Sequence, residues 1–148
     1  MKKLLLLFVF ITSCGYAQEF KVHDLKIKGN KRLKATFIKS VSSIKTGVLL
    51  DSTIIEQDIL RLKRLPSVSH AYYQVFSSHD NKYNVIYNIE ENFTLIPSAN
   101  FYTTDNEEFA YRLGLYEFNL LGRNITFGGF YQKDVYNSYA INFRAPYL

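Results

Sequence analysis

The feature that most constrains this chain is an alternation of apolar and polar residues that fills positions 109–148. In Ser138-Tyr139-Ala140-Ile141-Asn142-Phe143-Arg144-Ala145-Pro146-Tyr147, one set is Tyr139, Ile141, Phe143, Ala145 and Tyr147, and the other is Ser138, Ala140, Asn142 and Arg144. Successive side chains of a strand point to opposite faces, so one face is aromatic and aliphatic and the other is small or polar. The same spacing sets Phe109, Tyr111, Leu113 and Leu115 against Ala110, Arg112, Gly114 and Tyr116. It also sets Ile125, Phe127 and Tyr131 against Thr126, Gly128, Phe130 and Gln132. The pattern predicts strands over 109–118, 125–133 and 138–147. A less regular strand that contains Pro97 precedes them at 95–103, and turns fall at 104–107, 119–124 and 134–137. Segments of about nine to eleven residues match a tilted strand that crosses a bilayer. Two readings stay open on pattern alone: a sheet whose greasy face meets lipid, and a soluble β-sandwich with Tyr and Phe in its core.

The start of the chain bears on that choice. Lys2 and Lys3 precede an apolar run from Leu4 to Ile11, and Gly15-Tyr16-Ala17 is a small-x-small cleavage site. Eight apolar residues fall far short of the roughly 20 of a membrane-spanning helix. We expect export and cleavage between Ala17 and Gln18. The alternative is a lipoprotein signal, Ile11-Thr12-Ser13-Cys14, with Cys14 lipidated. After conventional cleavage the mature chain has no cysteine, and so neither disulfide nor thiol chemistry.

Composition adds three limits. An apolar content of 47% excludes wholesale disorder, and 12 Tyr with 12 Phe favour strands and suit the aromatic belts of membrane barrels. The formal charge of +5 is concentrated upstream of residue 93. Basic residues such as Lys26, Lys28, Lys31, Arg32 and Lys34 resemble a nucleic-acid footprint, but an exported chain points instead to a solvated face, and no nucleic-acid partner is expected.

Residues 20–91 read as β-α-α-β-β. A first strand covers 20–27, with a slip in phase at His23-Asp24 that marks a bulge. Phe37, Ile38, Val41 and Ile44 have helical spacing over 35–44. Thr53-Ile54-Ile55-Glu56 has the form of a capping box and opens a second helix with a stripe of Ile55, Ile59 and Leu62, stopped by Pro66. Ala71, Tyr72, Tyr73, Gln74, Val75 and Phe76 form a strand paired in a hairpin with 83–90. Two helices over one buried sheet face make an α+β domain, and about 72 residues suffice for a modest core.

No catalytic constellation emerges. His23, His70 and His79 lack Cys, Asp or Glu partners at metal-ligand spacing. Asp51, Glu56 and Asp58 read as carboxylates at a helix start, where they complement the dipole. There is no nucleophile elbow, P-loop or dinucleotide fingerprint, so no enzyme, cofactor or metal is expected.

Residues 20–91 resemble a POTRA domain. The resemblance is carried by Leu25-Lys26-Ile27-Lys28-Gly29-Asn30, Gly47, Asp58-Ile59-Leu60-Arg61-Leu62, Pro66-Ser67-Val68 and the run from Val85 to Glu91. Residues 109–148 resemble the first barrel strands of the BamA/TamA superfamily, through the run Tyr116-Glu117-Phe118-Asn119-Leu120-Leu121-Gly122-Arg123-Asn124 and the terminal Phe143-Arg144-Ala145-Pro146-Tyr147. That family often has Asn-x-Leu-Gly-x-Gly at this turn, and Asn124 stands where the second Gly is usual.

The resemblance implies a signal peptide at 1–17, a periplasmic domain at 18–92 and about four barrel strands at 93–148, in a protein of the cell outer membrane. It implies a role in insertion, assembly or translocation of proteins there; the other reading is a soluble periplasmic scaffold with a β-sandwich. The implied partners are outer-membrane lipid, unfolded outer-membrane or secreted clients, and accessory assembly proteins. Residues 71–76 would be the client-pairing edge. Lipid would meet Phe109, Tyr111, Leu113, Leu115, Ile125, Phe127, Tyr131, Tyr139, Ile141, Phe143 and Tyr147. Leu121, Gly122, Arg123 and Asn124 would form a periplasmic turn. Because four strands cannot close a barrel, the chain is expected to be an N-terminal part of a longer protein.

Overall fold

The computed structural model describes residues 19–78 and 82–147. The signal-peptide readings at Cys14, Ala17 and Gln18, and the turn residues His79 and Asp80, lie outside the described residues.

The first half is β1 (Lys21–Lys28), α1 (Ala35–Val41), α2 (Ser52–Lys63), β2 (Val68–Ser77) and β3 (Lys82–Glu91). The strand order is β1-β3-β2, with β1 parallel to β3 and β2 antiparallel to it. The parallel pairing needs a long crossover, and the two helices supply it. The register of β1 shifts between Val22 and Asp24, at the expected bulge. Val85, Tyr87 and Ile89 of β3 pack with Val22, Leu25, Phe37, Ile38, Ile55, Ile59 and Leu62 in one core.

Two helix ends differ from expectation. The cap of α2 is Asp51, whose carboxylate accepts from the Thr53 N–H at 2.8 Å, in place of the expected box at Thr53. α1 ends at Val41 rather than Ile44, because Ser42 turns extended. The cause is Asp58. It does not sit at a helix start but inside α2, with its side chain 1% exposed. Its carboxylate accepts from the Ser42 hydroxyl at 2.6 Å, the Ser43 and Ile44 N–H groups at 2.8 and 3.1 Å, and the Tyr87 hydroxyl at 3.0 Å. Those bonds pull the backbone of 42–44 out of the helix while Ile44 stays buried. Burial alone pushes the Asp58 carboxyl up, but these donors outweigh it and hold the group below its ordinary value of 3.8. Burial, and the Asp58 charge beside it, push the Tyr87 hydroxyl up.

The second half is a meander of β4 (Leu95–Thr103), β5 (Phe109–Leu120), β6 (Ile125–Lys133) and β7 (Asn137–Arg144), antiparallel in the order β4-β5-β6-β7. The sheet is open, with the outer edges of β4 and β7 unpaired among the described residues. Pro97 lies in β4, an edge strand among the described residues, where a residue without an N–H is tolerated. β7 stops at Arg144, short of the predicted Tyr147, just before Pro146. No described helix is long and apolar enough to cross a membrane, which says nothing about strands.

Candidate functional site

The ladders decide which residues share a face, because directly paired residues of an antiparallel sheet point the same way. One face of the second sheet reads across as Leu95, Glu117, Phe127 and Phe143, then Pro97, Leu115, Gly129 and Ile141. The next rows are Ala99, Leu113, Tyr131 and Tyr139, then Phe101, Tyr111, Lys133 and Asn137, with Thr103 and Phe109 last. Near the 121–124 turn this face holds Leu95, Phe127 and Phe143 around Glu117, its next row is aliphatic, and its far end is richest in aromatics, where Phe101 stacks on Phe109 and Tyr111 lies beside Tyr131. The other face is more polar, with Ser98, Asn100, Arg112, Gln132, Ser138 and Asn142 beside Ile96, Tyr102, Tyr116 and Phe130, and the Arg112 guanidinium lies 3.5 Å over the centre of the Phe130 ring.

Nine of the eleven residues expected on the greasy face share it and are at least partly exposed: Phe109, Tyr111, Leu113, Leu115, Phe127, Tyr131, Tyr139, Ile141 and Phe143. Two depart from expectation. Ile125 is only 6% exposed, beside a register shift between Glu117 and Leu120 that makes Leu120 its partner. Tyr147 lies beyond the end of β7 and sets its ring edge-on against Phe37 of α1, with centroids 5.6 Å apart.

That contact is one of several that dock the sheet on the first domain. Glu91, at the end of β3, accepts from the successive N–H groups of Lys31, Arg32 and Leu33 at 2.6, 2.9 and 2.9 Å, a backbone arrangement suited to an anion. The loop so held aims Arg32 across the junction. Its guanidinium donates to Thr94 Oγ1 at 2.9 Å and to Glu117 Oε2 at 2.7 Å. The Thr94 hydroxyl donates to Glu117 Oε1 at 2.5 Å, the Asn119 N–H donates to the same oxygen at 2.8 Å, and the Phe118 N–H donates to the Thr94 carbonyl at 2.9 Å. Glu117, the one charge in an otherwise apolar row, is therefore neutralised from the first domain.

The 121–124 turn closes the contact. Leu121, Gly122 and Asn124 have φ of 59°, 69° and 56°, a region that strongly favours Gly and tolerates Asn. That accounts for Asn124 where Gly is usual. The Gly122 carbonyl accepts from the Lys34 N–H at 2.9 Å, and a Cβ at Gly122 would strike the Arg32 carbonyl oxygen. Asn124 Oδ1 accepts from the Ser67 hydroxyl at 3.0 Å, and the Asn124 N–H donates to Asn119 Oδ1 at 3.0 Å. Leu121 and Arg123 of the same turn are exposed.

Residues 71–76 lie in β2, at the edge of the first sheet. Ala71, Tyr73 and Val75 face the core, while Tyr72, Gln74 and Phe76 point away from it and are exposed. The opposite edge is partly closed. Val22 N–H donates to Val48 O, Gly47 N–H to Val22 O, and Leu50 N–H to Phe20 O, so residues 47–50 cover the start of β1. β2 carries no such cover among the described residues, which leaves it as the sheet's longer free row of backbone donors and acceptors.

The helix-covered sheet can now be assigned. Residues 20–92 match the family model POTRA, surface antigen variable number repeat. They form a POTRA domain. Over 84% of this chain the fold is similar to that of BamA from Haemophilus ducreyi lacking POTRA domains 1–3, with a TM-score of 0.65 at 18% identity. It is also similar to CdiB from Acinetobacter baumannii, with a TM-score of 0.56 at 14% identity over 87% of this chain. The chain spans about a quarter of each, 24% and 26% respectively. No curated protein sequence matches it.

The junction of POTRA domain and sheet is thus the most built part of the molecule. Among the described residues no group of three or more His, Cys, Asp or Glu could hold a metal ion. The turn and the edge strand are legible in the sequence, whereas the junction roles of Glu91, Thr94, Ser67 and Arg32, the last expected on a solvated face, are not. The one available signal was Glu117 interrupting an apolar alternation.

Proposed function

We propose that this chain works at a bacterial outer membrane as a BamA-like assembly or transport protein. Residues 1–17 would direct export, the POTRA domain at 18–92 would lie in the periplasm, and the sheet at 93–148 would lie in lipid. The observation that carries this reading is a POTRA domain locked onto an antiparallel sheet whose one face is apolar over successive rows. Strands of eight to twelve residues suit the hydrocarbon thickness, and the aromatic end suits an interface belt. Lipid cannot satisfy backbone groups, so the reading requires strand partners for the outer edges of β4 and β7. The turn at 121–124 would then be periplasmic, a reading supported by its contact with the POTRA domain.

The POTRA domain would hold an unfolded client by adding it as a strand to β2, with backbone bonds giving affinity and Tyr72 and Phe76 giving apolar contact. Accessory assembly proteins would have the domain's remaining surfaces. Single-cysteine variants at Tyr72, Gln74 and Phe76, in a Cys14→Ser background of the full chain in detergent, should cross-link to an unfolded outer-membrane protein. Yields should exceed several-fold those from Glu56 and Lys63 on α2. Equal yields at all five positions would eliminate strand addition at β2.

A further inference from the structure

A cavity of about 250 Å³ lies where the POTRA domain meets the polar face of the sheet. Arg64 reaches it from the end of α2, Pro66 from the approach to β2, Asn124 from the docked turn, and Thr126 and Arg144 from paired positions on β6 and β7. Arg64 and Arg144 come from the two halves of the chain. Neither forms an ion pair among the described residues, where the bridges involve Lys21, Arg32 and Arg61. Among the described residues no carboxylate side chain lines the cavity. Asn124 is only 4% exposed; its Oδ1 is taken by Ser67, and its amide nitrogen donates to no described group.

Two guanidiniums that share one space repel each other, and an anion between them reverses the sign of the interaction. Guanidinium forks match a planar carboxylate bidentately, and the Asn124 amide and Thr126 hydroxyl add neutral donors. Arg64 also complements the carboxyl end of α2, a role that leaves its donors free to be shared.

We infer that this cavity binds a carboxylate side chain of an extended polypeptide held at β2. The inference rests on the proposed client edge. Two observations favour a peptide over a lipid headgroup. Thr126 and Arg144 belong to the polar face, opposite the apolar one. Pro66 lines the cavity two residues before Val68, where β2 begins. A strand added along 71–76 advances about 3.3 Å per residue, so it reaches Pro66 about five residues past Ala71. Pro66 has no N–H to continue the ladder, and side-chain recognition takes over there.

The test uses the full chain in detergent micelles with two alternating ten-residue peptides that differ by Asp or Asn at the end predicted to reach Pro66. The Asp peptide should bind about tenfold more tightly, and the preference should fade at high salt. The double variant R64Q/R144Q should lose the preference while keeping its affinity for the Asn peptide, and K63Q should keep both. Equal binding of the two peptides by the unmodified chain, or a preference that survives R64Q/R144Q, would overturn the inference. If neither peptide binds, strand addition fails, and the cavity is judged by N-acetylaspartate amide alone. Joint displacement of the Arg64 and Arg144 Nε–H resonances would support the site. Displacement by inorganic phosphate only, or none at all, would overturn it.

Discussion

Asp58→Ala should cost the POTRA domain about 3–4 kcal/mol, the largest effect expected of any single substitution in it. A hydrogen bond to a charged group is worth about 1.5–3 kcal/mol net, and a buried donor left without a partner adds a desolvation penalty. Asp58 serves four donors inside the domain, the Ser42 and Tyr87 hydroxyls and the N–H groups of Ser43 and Ile44, and also pairs at 3.3 Å with the exposed Arg61 guanidinium. Alanine takes the acceptor from the four inner donors at once, leaving the Ser42 hydroxyl only the Ile44 carbonyl at 3.4 Å, and because the bonds share one acceptor their separate values do not add. Amide exchange of Val85 and Ile89 in the full chain in detergent reads the loss. Tyr87→Phe, which removes one of the four donors together with its need for a partner, should cost about 1 kcal/mol.

The same carboxylate sets an acid limit. Its folded-state pKa lies below the ordinary 3.8. Its contribution is therefore fully present above that ordinary value and is lost as pH falls through the folded pKa. Unmodified protein should lose POTRA stability below about pH 4, and Asp58→Ala, already without the contribution, should show a flatter acid limb. Parallel acid limbs would show that another carboxylate controls the loss.

Gly122→Val should open the junction between POTRA domain and sheet. The residue has φ 69°, where a non-glycine residue costs about 1–3 kcal/mol and a β-branched one lies at the upper end. The added Cβ also meets backbone, the Arg32 carbonyl oxygen, along with Lys34 Cγ at 3.0 Å and Lys34 N at 3.2 Å. Backbone on both sides leaves no flexible end to yield, so the turn must lift and release the Lys34–Gly122 hydrogen bond. Exchange of the Lys34 amide should accelerate about thirtyfold or more, which corresponds to about 2 kcal/mol. Gly47 supplies the comparison. Its φ is 87°, but a Cβ there meets nothing within 4 Å, so Gly47→Ala should carry strain alone and leave Lys34 exchange unchanged. If Gly122→Val leaves it unchanged too, the docked turn is not what joins the two halves.

The strands were legible because their information is local. Period-two alternation alone located β6, and the rows of the apolar face follow once the ladder sets register. The bulge at His23-Asp24 was legible for the same reason, as a break in phase. The junction was not. Arg32 and Glu117 are 85 residues apart, and nothing near either one names the other. α1 was over-extended because Ile44 keeps helical spacing and stays buried, while Asp58, fourteen residues downstream, takes its N–H away from the helix. Tyr147 continued the alternation by spacing, but Pro146 ends the strand and turns it onto Phe37. Asn124 shows the opposite case. A departure from a family's glycine keeps the geometry, because Asn accepts a φ of 56°.

The central claim is that one face of the sheet meets lipid hydrocarbon while the POTRA domain stays in water. Its most direct measurement is a spin-label scan along β5 and β6 of the full chain reconstituted in bilayers, reading collision with oxygen against collision with a water-soluble nickel chelate. Labels at Leu113, Leu115, Phe127 and Tyr131 should favour oxygen, labels at Arg112, Gly114 and Gln132 should favour nickel, and Gln57 on α2 should be fully open to nickel. Nickel access at Leu113 and Leu115 equal to that at Gln57, with no period of two along β5, would contradict the account.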